Sequence, residues 1–313
     1  PYVLMLLLSS LGLGTMITFA SSHWLFAWMG LELNTLAIIP LMAQNHHPRA
    51  VEAATKYFLV QATAAATLLF ASVTNAWLTG QWDIFMMSHP LPTTLTAIAL
   101  ALKLGLAPLH TWLPEVMQGL DLSTGLILAT WQKLAPFALL LQVPLQDQII
   151  LMIFGLASTL WGGWGGLNQT QLRKIMAYSS IAHLGWMILM AQFAPHLMSL
   201  ALLMYLILTS STFLTLKFNK TYTVNNLSIS WAKFPTLSLM MPVLMLSLAG
   251  LPPLTGFMPK WMILQELTSQ ELPATAMLAA LTALLSLYFY LRLCYAMSLT
   301  VSPNTTAALF SWR

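Results

Sequence analysis

The sequence predicts an all-α polytopic membrane protein, and three features of its composition and patterning support this fold class. Only 6% of the 313 residues are charged, whereas charged residues make up about 25% of a soluble globular protein. Hydrophobic residues account for 58% of the chain and the mean hydropathy is +0.76, which leaves too little polar surface to cover a water-soluble globule. The apolar segments are continuous, as in transmembrane helices, and do not alternate as the strands of a membrane barrel do.

Composition also excludes several functional classes. The lysines and arginines are scattered, with no basic run that could follow a nucleic-acid backbone, so we expect no nucleic-acid partner. Cys294 is the single cysteine, which excludes an intramolecular disulfide and a cysteine-based metal cluster. No glycine-rich dinucleotide motif opens a soluble helix. We therefore expect this chain to bind no cofactor or metal and to carry out no redox catalysis alone.

Ten candidate transmembrane helices follow one another along the chain. They cover approximately residues 3–20, 24–44, 57–78, 93–113, 122–141, 149–167, 175–192, 196–216, 236–266 and 273–297. The first has no basic segment ahead of it and no clear cleavage site, so we interpret it as a retained helix and not a signal peptide. The ninth is too long for one straight crossing and contains a double proline, which predicts a broken helix.

The distribution of lysine and arginine predicts the orientation of these helices. Nine of the twelve cations lie on one side, seven in alternate connections between the spans and two near the carboxyl-terminal end of the last span or after it, and the intervening connections contain none. Because one side of a membrane protein is enriched in Lys and Arg, an even number of spans in this register places both ends of the chain on the positive side.

Four charged residues lie deep in the predicted spans, away from the span ends, namely Glu32, Lys103, Lys133 and Lys260. Each mid-membrane charge costs about 2.5–3.5 kcal/mol on insertion scales, and such charges commonly mark proton or ion pathways. Desolvation disfavours the charged form of a buried lysine in general, whereas a nearby carboxylate favours it, so its protonation can switch when the neighbour moves. We interpret the four residues as a proton relay. The alternative is that they are salt-bridged or snorkelling structural charges.

His183, in the middle of the seventh span, is a weaker candidate for the relay. Histidine titrates close to neutral pH, which suits proton transfer. A hydrogen-bonded structural role is the alternative interpretation of this residue.

Spans four and nine contain an internal repeat. Residues 105–115 read GLAPLHTWLPE, and residues 250–260, which lie 145 positions later, read GLPPLTGFMPK. Glycine and proline interrupt both helices, and the freed backbone groups need a cavity lined by protein or water. An odd number of spans separates the copies, so we predict two inverted five-helix repeats, 1–145 and 146–300, with helices 4 and 9 broken. The polar segment 301–313 follows them.

Five segments resemble the antiporter-like subunits in the membrane arm of respiratory complex I. They are WMGLELN at 28–34, ALKLGLAPLH at 101–110, TWQKLAP at 130–136, GGLNQTQLRK at 165–174 and GLPPLTGFMPK at 250–260. The resemblance covers essentially the whole chain and is to the form that vertebrate mitochondria encode. It implies two inverted five-helix bundles and transfer of protons across the inner membrane, coupled to reduction of ubiquinone elsewhere in the complex. Since the family has one more carboxyl-terminal helix, we expect residues 301–313 to lead to a further helix.

The resemblance also assigns roles to single residues. It implies that Glu32 is the glutamate of helix two and that Lys103, on the first broken helix, is its partner. Lys133 corresponds to the lysine that passes protons toward the second bundle, and Lys260 to the terminal lysine on the second broken helix. His110 would link Lys103 and Lys133 as a polar or water-holding group.

For the assembly, the resemblance implies other membrane-arm subunits as partners, including neighbouring antiporter-like subunits, and lipids such as cardiolipin are compatible with such a surface. NADH, FMN, iron–sulfur clusters and ubiquinone belong to the parent complex. The implied location is the mitochondrial inner membrane, with the amino terminus on the matrix side, and this agrees with the distribution of cations.

Two alternative functions remain open from the sequence. A stand-alone cation/proton antiporter of related fold would need a cluster of carboxylates, whereas Glu32 is the one clearly mid-membrane acid. In a purely structural membrane subunit, the buried charges would only fix helix packing. Transport by the purified chain would identify the antiporter, and normal pumping by an assembled Lys133→Met variant would identify the structural subunit.

Overall fold

The computed structural model describes residues 2–44, 47–144, 148–232 and 234–299. Within these ranges the chain forms fourteen α-helices and two 3-10 segments, and its only β pairing is two isolated bridges. The all-α prediction is therefore confirmed. The polar segment 301–313 and two cations of the orientation argument, Lys233 and Arg313, lie outside the described residues.

The helices follow one another with short connections. They are α1 (Tyr2–Ala20), α2 (Trp24–Met42), α3 (Pro48–Thr79), α4 (Pro90–Leu104), α5 (Trp112–Gly119), α6 (Leu122–Ala129), α7 (Trp131–Gln142), α8 (Gln148–Gly166), α9 (Leu172–Leu189), α10 (Pro195–Asn219), α11 (Val224–Ile229), α12 (Pro235–Ala249), α13 (Phe257–Ser269) and α14 (Pro273–Ser298). The 3-10 segments are Ile84–Met86 and Ser230–Ala232.

The chain divides into two compact units, which we call unit one (residues 1–157) and unit two (residues 158–313). The sequence-based division into inverted repeats, 1–145 and 146–300, stays a prediction.

Seven helical segments of the described chain are long and apolar enough to cross a membrane. They are Tyr2–Ala20, Trp24–Met42, Pro48–Thr79, Leu122–Gln142, Ile149–Gly166, Pro195–Asn219 and Pro273–Ser298. Two shorter apolar helices, α4 and α12, form the first parts of predicted spans four and nine. A total of ten spans stays a prediction.

Two element boundaries differ from the sequence-based expectation. The predicted connection between spans four and five is mostly helical, since α5 covers Trp112–Gly119. Predicted span five is interrupted at Thr130, which has φ −113° and ψ −68° and separates α6 from α7. The Thr130 hydroxyl donates a 2.7 Å hydrogen bond to the carbonyl of Leu126 and so supplies a local partner at the interruption.

The first segments of the two broken helices, α4 and α12, have equal lengths and end in the same way. The first residues of α4 and α12 are 145 positions apart, and so are their last residues. The first residues of α5 and α13 are also 145 positions apart. Helix α4 ends before Gly105 (φ +78°) and α12 before Gly250 (φ +79°), and each glycine N–H donates to the carbonyls three and four residues earlier. Because this left-handed conformation is disfavoured for residues with a Cβ atom, glycine is favoured at both positions. The peptide bonds before Pro108 and Pro253 are both cis.

In unit two, glycines allow α8 to pack closely against two helices. A Cβ atom on Gly162 would lie 2.6 Å from the backbone nitrogen of Ala182 in α9. A Cβ atom on the adjacent Gly163 would lie 2.8 Å from the Cβ of Leu285 in α14. Gly165 and Gly166 repeat this pattern, since a Cβ atom on them would meet Tyr178 in α9 and Phe289 in α14, respectively. The glycine-rich sequence at 162–166 therefore serves two close helix contacts.

Candidate functional site

Lys103 and Lys133 line the same cavity inside unit one. The cavity has a volume of about 20 Å³, and a water molecule needs about 10–15 Å³ measured in this way. The residues are 7% and 3% exposed, respectively. The structure therefore brings together two of the predicted relay lysines around space for about one water molecule.

Polar side chains surround these lysines, namely Asn34, Thr35, Tyr57, Gln61 and Gln132. Gln132 donates a 3.3 Å hydrogen bond to the backbone carbonyl of Asn34, and Gln61 donates a long one, 3.5 Å, to that of Lys103. Asn34 is 1% exposed, and both polar atoms of its side chain lack a hydrogen-bond partner among the described residues. A buried amide of this kind needs a partner, so the cavity is suited to hold a water molecule.

The position of Lys103 follows from the break in helix four. Lys103 immediately precedes Leu104, the last residue of α4, and therefore lies two positions before Gly105, the glycine with left-handed backbone conformation. The indole nitrogen of Trp112, at the start of α5, donates a 3.2 Å hydrogen bond back to the carbonyl of Leu102 and closes the turn. The Lys103 Nζ atom is buried and has no hydrogen-bond partner within the described part of the chain.

Glu32 is not in contact with Lys103 in this structure. It lies on α2, is half-buried and is not among the residues that line the cavity. In the described ranges, no ion pair joins Glu32 to Lys103 within 4.0 Å. One carboxylate oxygen, Oε2, is buried with no hydrogen-bond partner in the described residues. The predicted pairing of the two residues would need movement of a side chain or a bridging water.

His110 lies in the turn between α4 and α5, where it is half-buried. It is not among the residues that line the Lys103–Lys133 cavity. Its predicted role as a link between the two lysines stays a prediction.

Lys260 lines a second cavity, also of about 20 Å³, inside unit two. Its Nζ atom donates a 2.8 Å hydrogen bond to the carbonyl of Ala249, the last residue of α12. It also lies 5.9 Å from the ring centroid of Trp186, within the range of a cation–π contact. His183 and Tyr205 line the same cavity, with their ring centroids 5.6 Å apart. The structure thus places the weaker candidate, His183, beside Lys260.

Lys260 and its counterpart in the repeat, Glu115, have different surroundings. Glu115 accepts a 2.9 Å hydrogen bond from Lys56, which also pairs with Glu52 at 2.7 Å. All three side chains are exposed, and they border an open groove of about 340 Å³. The two copies of the motif therefore present one ion-paired surface carboxylate and one lysine in a cavity.

Several polar residues of these cavities have no assigned role in the sequence analysis, in particular Asn34, Tyr57, Gln61 and Tyr205. The sequence carries one signal for them: each is a polar side chain inside an apolar helix, where hydrogen-bonding groups need partners. In the described residues, no group of three or more His, Cys, Asp or Glu side chains could hold a metal ion.

Comparisons with known proteins agree with this architecture. The family model described as "NADH:quinone oxidoreductase/Mrp antiporter, TM" matches residues 21–304. The NADH-ubiquinone oxidoreductase chain 2 of Salmo salar is 70% identical over 100% of this chain and 90% of its own length. The protein of the same description from Danio rerio is 65% identical with the same coverage.

Solved structures give the same result at the level of the fold. A chain of respiratory complex I from Thermus thermophilus with bound aureothin is 31% identical, with a TM-score of 0.87, over 95% of this chain and 71% of that chain. A chain of the Mrp complex from Dietzia sp. has a TM-score of 0.84 at 19% identity, over 96% of this chain and 61% of that chain. The second likeness concerns the antiporter-like fold alone.

Proposed function

The chain belongs to the NADH:quinone oxidoreductase/Mrp antiporter membrane family, and from this premise we propose that it is a membrane-arm subunit of proton-pumping NADH:ubiquinone oxidoreductase, complex I. It forms part of the respiratory chain in the mitochondrial inner membrane, with the other membrane-arm subunits as its partners, neighbouring antiporter-like subunits among them. The distribution of lysine and arginine supports an amino terminus on the matrix side.

The observation that carries the proposal is the shared cavity of Lys103 and Lys133. Two lysines in one small polar cavity can exchange a proton through a single water. When one ammonium gives its proton to that water and the other amine takes a proton from it, only N–H and O–H bonds change. A lysine facing lipid or bulk water could not pass protons in this way.

In the proposed sequence, a proton from the matrix side charges Lys103 when Glu32 moves closer, passes to Lys133 and reaches Lys260, from which it leaves toward the intermembrane space. His110 is a candidate link between Lys103 and Lys133 on this route, and His183 is a weaker candidate relay group. The carbonyl of Ala249 and the ring of Trp186 both favour a cation at Lys260.

The energy for transport comes from partner subunits. Moving one charge against 100 mV costs about 2.3 kcal/mol, and we assign NADH, FMN, the iron–sulfur clusters and ubiquinone to the rest of the complex. The single cysteine, Cys294, could supply one thiolate at most, which does not fit an iron–sulfur cluster held by four such ligands. The chain's own chemistry is acid–base chemistry.

The test is Lys103→Met in the assembled complex. We expect quinone reductase turnover and proton pumping to fall together, because the variant removes the ionisable group and keeps a side chain of similar length. Full coupled activity in an assembled variant would refute the role of Lys103. Sodium–proton exchange by the purified single chain would favour the stand-alone antiporter instead.

A further inference from the structure

Asn34 lines the Lys103–Lys133 cavity with both hydrogen-bonding groups of its side chain unused by the protein. The residue is 1% exposed, and neither its amide nitrogen nor its amide oxygen has a hydrogen-bond partner among the described residues. Burying an amide without partners is costly. A residue buried in this way therefore points to an occupant of the cavity that can form hydrogen bonds with it.

Three other polar side chains of the cavity donate to main-chain carbonyls. Thr35 donates a 2.8 Å hydrogen bond to the carbonyl three residues earlier, Gln61 a 3.5 Å bond to that of Lys103, and Gln132 a 3.3 Å bond to that of Asn34 itself. The Lys103 Nζ atom, in contrast, is buried without a partner within the described ranges, as the Asn34 amide is. The cavity of about 20 Å³ has space for one water, which could bond to both of these groups.

Close packing of α1 against α2 fixes the place of this amide. Gly14 on α1 and Gly30 on α2 approach each other so closely that a Cβ atom on either would lie 2.8 Å from the carbonyl oxygen of the other. A Cβ atom on Gly14 would also lie 2.9 Å from Cγ of Asn34 and would clash with its Oδ1. The main chain of α1 therefore limits where the carboxamide of Asn34 can turn.

We propose that Asn34 is a positioning residue of the relay, which holds the water that carries a proton between Lys103 and Lys133. This inference rests on the proposed function, because it concerns the transfer step that the two lysines share. It adds an uncharged residue of α2 to a route that the sequence analysis built from ionisable residues.

The chemistry suits a neutral amide. A carboxamide can donate to the water oxygen or accept from a water O–H, and either bond leaves the water at least one lone pair and one O–H for the lysines. During transfer, an N–H bond of one lysine breaks, an O–H bond of the water forms and another breaks, and an N–H bond of the other lysine forms. The bonds of Asn34 do not change, and the step needs no oxidant, reductant or further reactant.

The experiment compares Asn34→Leu and Asn34→Ser in the assembled complex in inner-membrane vesicles. Leucine keeps the branched shape of the side chain without its hydrogen-bonding groups, whereas serine keeps a hydroxyl and leaves room for a further water. Because misplacing reacting groups by about 1 Å can cost about 10²-fold in rate, we expect coupled pumping per assembled complex to fall about tenfold or more in Asn34→Leu. A water-mediated hydrogen bond is nearly as good as a direct one, so Asn34→Ser should stay within about threefold of the unaltered protein.

A packing role is the alternative, in which the side chain of Asn34 only fills the contact between α1 and α2. It predicts the opposite order of the two variants, since leucine fills this contact, whereas serine leaves a cavity, which is destabilising in a packed interior. Pumping by Asn34→Leu that equals or exceeds pumping by Asn34→Ser would therefore overturn the inference.

Asn219→Leu is the matched control. Asn219 is the last residue of α10 in unit two and is 3% exposed, and both polar atoms of its side chain are unpartnered in the described part of the chain. It is not among the residues that line either lysine cavity. The same loss of a buried amide should here leave pumping per assembled complex unchanged. Equal losses in the two leucine variants would count against a specific role of Asn34.

Gly14→Ala and Gly30→Ala give a second reading that leaves Asn34 itself unchanged. Both add a Cβ atom to the same helix contact, but the nearest atoms include those of Asn34 for Gly14 and those of Thr18 for Gly30. We expect both variants to lower the amount of assembled complex, and Gly14→Ala alone to lower pumping per assembled complex, by about tenfold. Equal pumping per complex in the two variants would contradict the positioning role.

Lys103→Met, measured in parallel, separates this inference from the proposed function. Normal pumping in assembled Asn34→Leu, with pumping lost in Lys103→Met, would overturn the role of Asn34 alone. Normal pumping in Lys103→Met would overturn the proposed function together with this inference.

Discussion

The side-chain nitrogen of Lys260 donates a 2.8 Å hydrogen bond to the backbone carbonyl of Ala249, across the break that separates α13 from α12. This carbonyl lies at the carboxyl end of α12, where the helix dipole is negative and stabilises a cation by about 0.3–1 kcal/mol at exposed sites and up to about 2 kcal/mol when partly buried. The relay candidate is therefore also the group that satisfies an end of the broken helix.

Lys260→Met removes both the ionisable group and this hydrogen bond. We expect turnover and pumping to fall by about tenfold or more, because a positioned proton-transfer group typically contributes about 10²–10⁴-fold. Quinone reductase activity and proton uptake by inner-membrane vesicles, both normalised to the amount of assembled complex, are the measurements.

The matched control for this prediction is Lys217→Met. Lys217 lies in the last turn of α10 and is exposed, so the same chemical change there should leave both activities unchanged. Equal losses in the two variants would show that lost positive charge, and not the position in the cavity, is responsible.

Lys103 and Lys133 should behave as one functional unit because they share a cavity. We expect Lys103→Met and Lys133→Met each to slow pumping strongly and the double variant to be about as slow as the slower single variant, since groups that act together are non-additive. A double-variant cycle on coupled turnover measures this. Fully additive free energies would indicate two independent routes.

Gly250→Ala should affect turnover as well as stability. An alanine there adopts a left-handed conformation at a cost of about 1–2 kcal/mol, and its Cβ would lie 3.0 Å from Cδ and 3.1 Å from Nζ of Lys260. Gly80, at the end of α3, also has a positive φ, +73°, but its Cβ would meet nothing within 4 Å. We therefore expect similar thermal destabilisation from backbone strain, with lower turnover in Gly250→Ala alone. Equal turnover in the two variants would contradict the link between this glycine and Lys260.

Glu115→Gln should leave coupled activity unchanged, although Glu115 is the counterpart of Lys260 in the repeat. Its carboxylate is 55% exposed and pairs with Lys56 at the surface, and exposed ion pairs contribute little to stability. Pumping and assembly, compared with Lys260→Met under the same conditions, provide the check. A large loss of pumping would place Glu115 on a proton route and overturn this assignment.

Gly162→Ala should impair assembly because α8 and α9 are in close contact there. The added Cβ would lie 2.6 Å from the backbone nitrogen of Ala182, which cannot move as a side-chain end could. Overpacking of this kind costs about 1–3 kcal/mol, so we expect less assembled complex and a lower midpoint of thermal unfolding. Gly12→Ala is the control, since a Cβ on Gly12 would meet nothing within 4 Å. Equal effects of the two substitutions would contradict the packing argument.

The sequence predicted the broken helices well, because glycine and proline act locally on the backbone. The motif at 105–115 and its copy at 250–260 mark both breaks, and the offset of 145 residues recurs in the helix bounds. The burial of Lys103 and Lys133 was also predictable, since a charge within a long apolar segment must face protein or water.

The partners of these lysines could not be predicted. Apolar residues occupy most of the circumference of each helix. The pattern of polar and apolar positions therefore does not show which face packs against a neighbouring helix. Asn34 lies two positions after Glu32 and lines the cavity, whereas Glu32 does not. In unit two, Tyr205 and His183 meet across a helix contact that depends on how α9 and α10 pack. Such contacts are set by tertiary packing, which the sequence of one helix does not determine.

The two helix breaks share their backbone geometry but not their chemistry. At matching positions the two copies carry different side chains: lysine against leucine (Lys103 and Leu248), histidine against threonine (His110 and Thr255), and glutamate against lysine (Glu115 and Lys260). The glycine ends of α4 and α12 are nevertheless the same. The same course of the main chain can therefore carry an ionisable group before the interruption in one copy, as at Lys103, and after it in the other, as at Lys260.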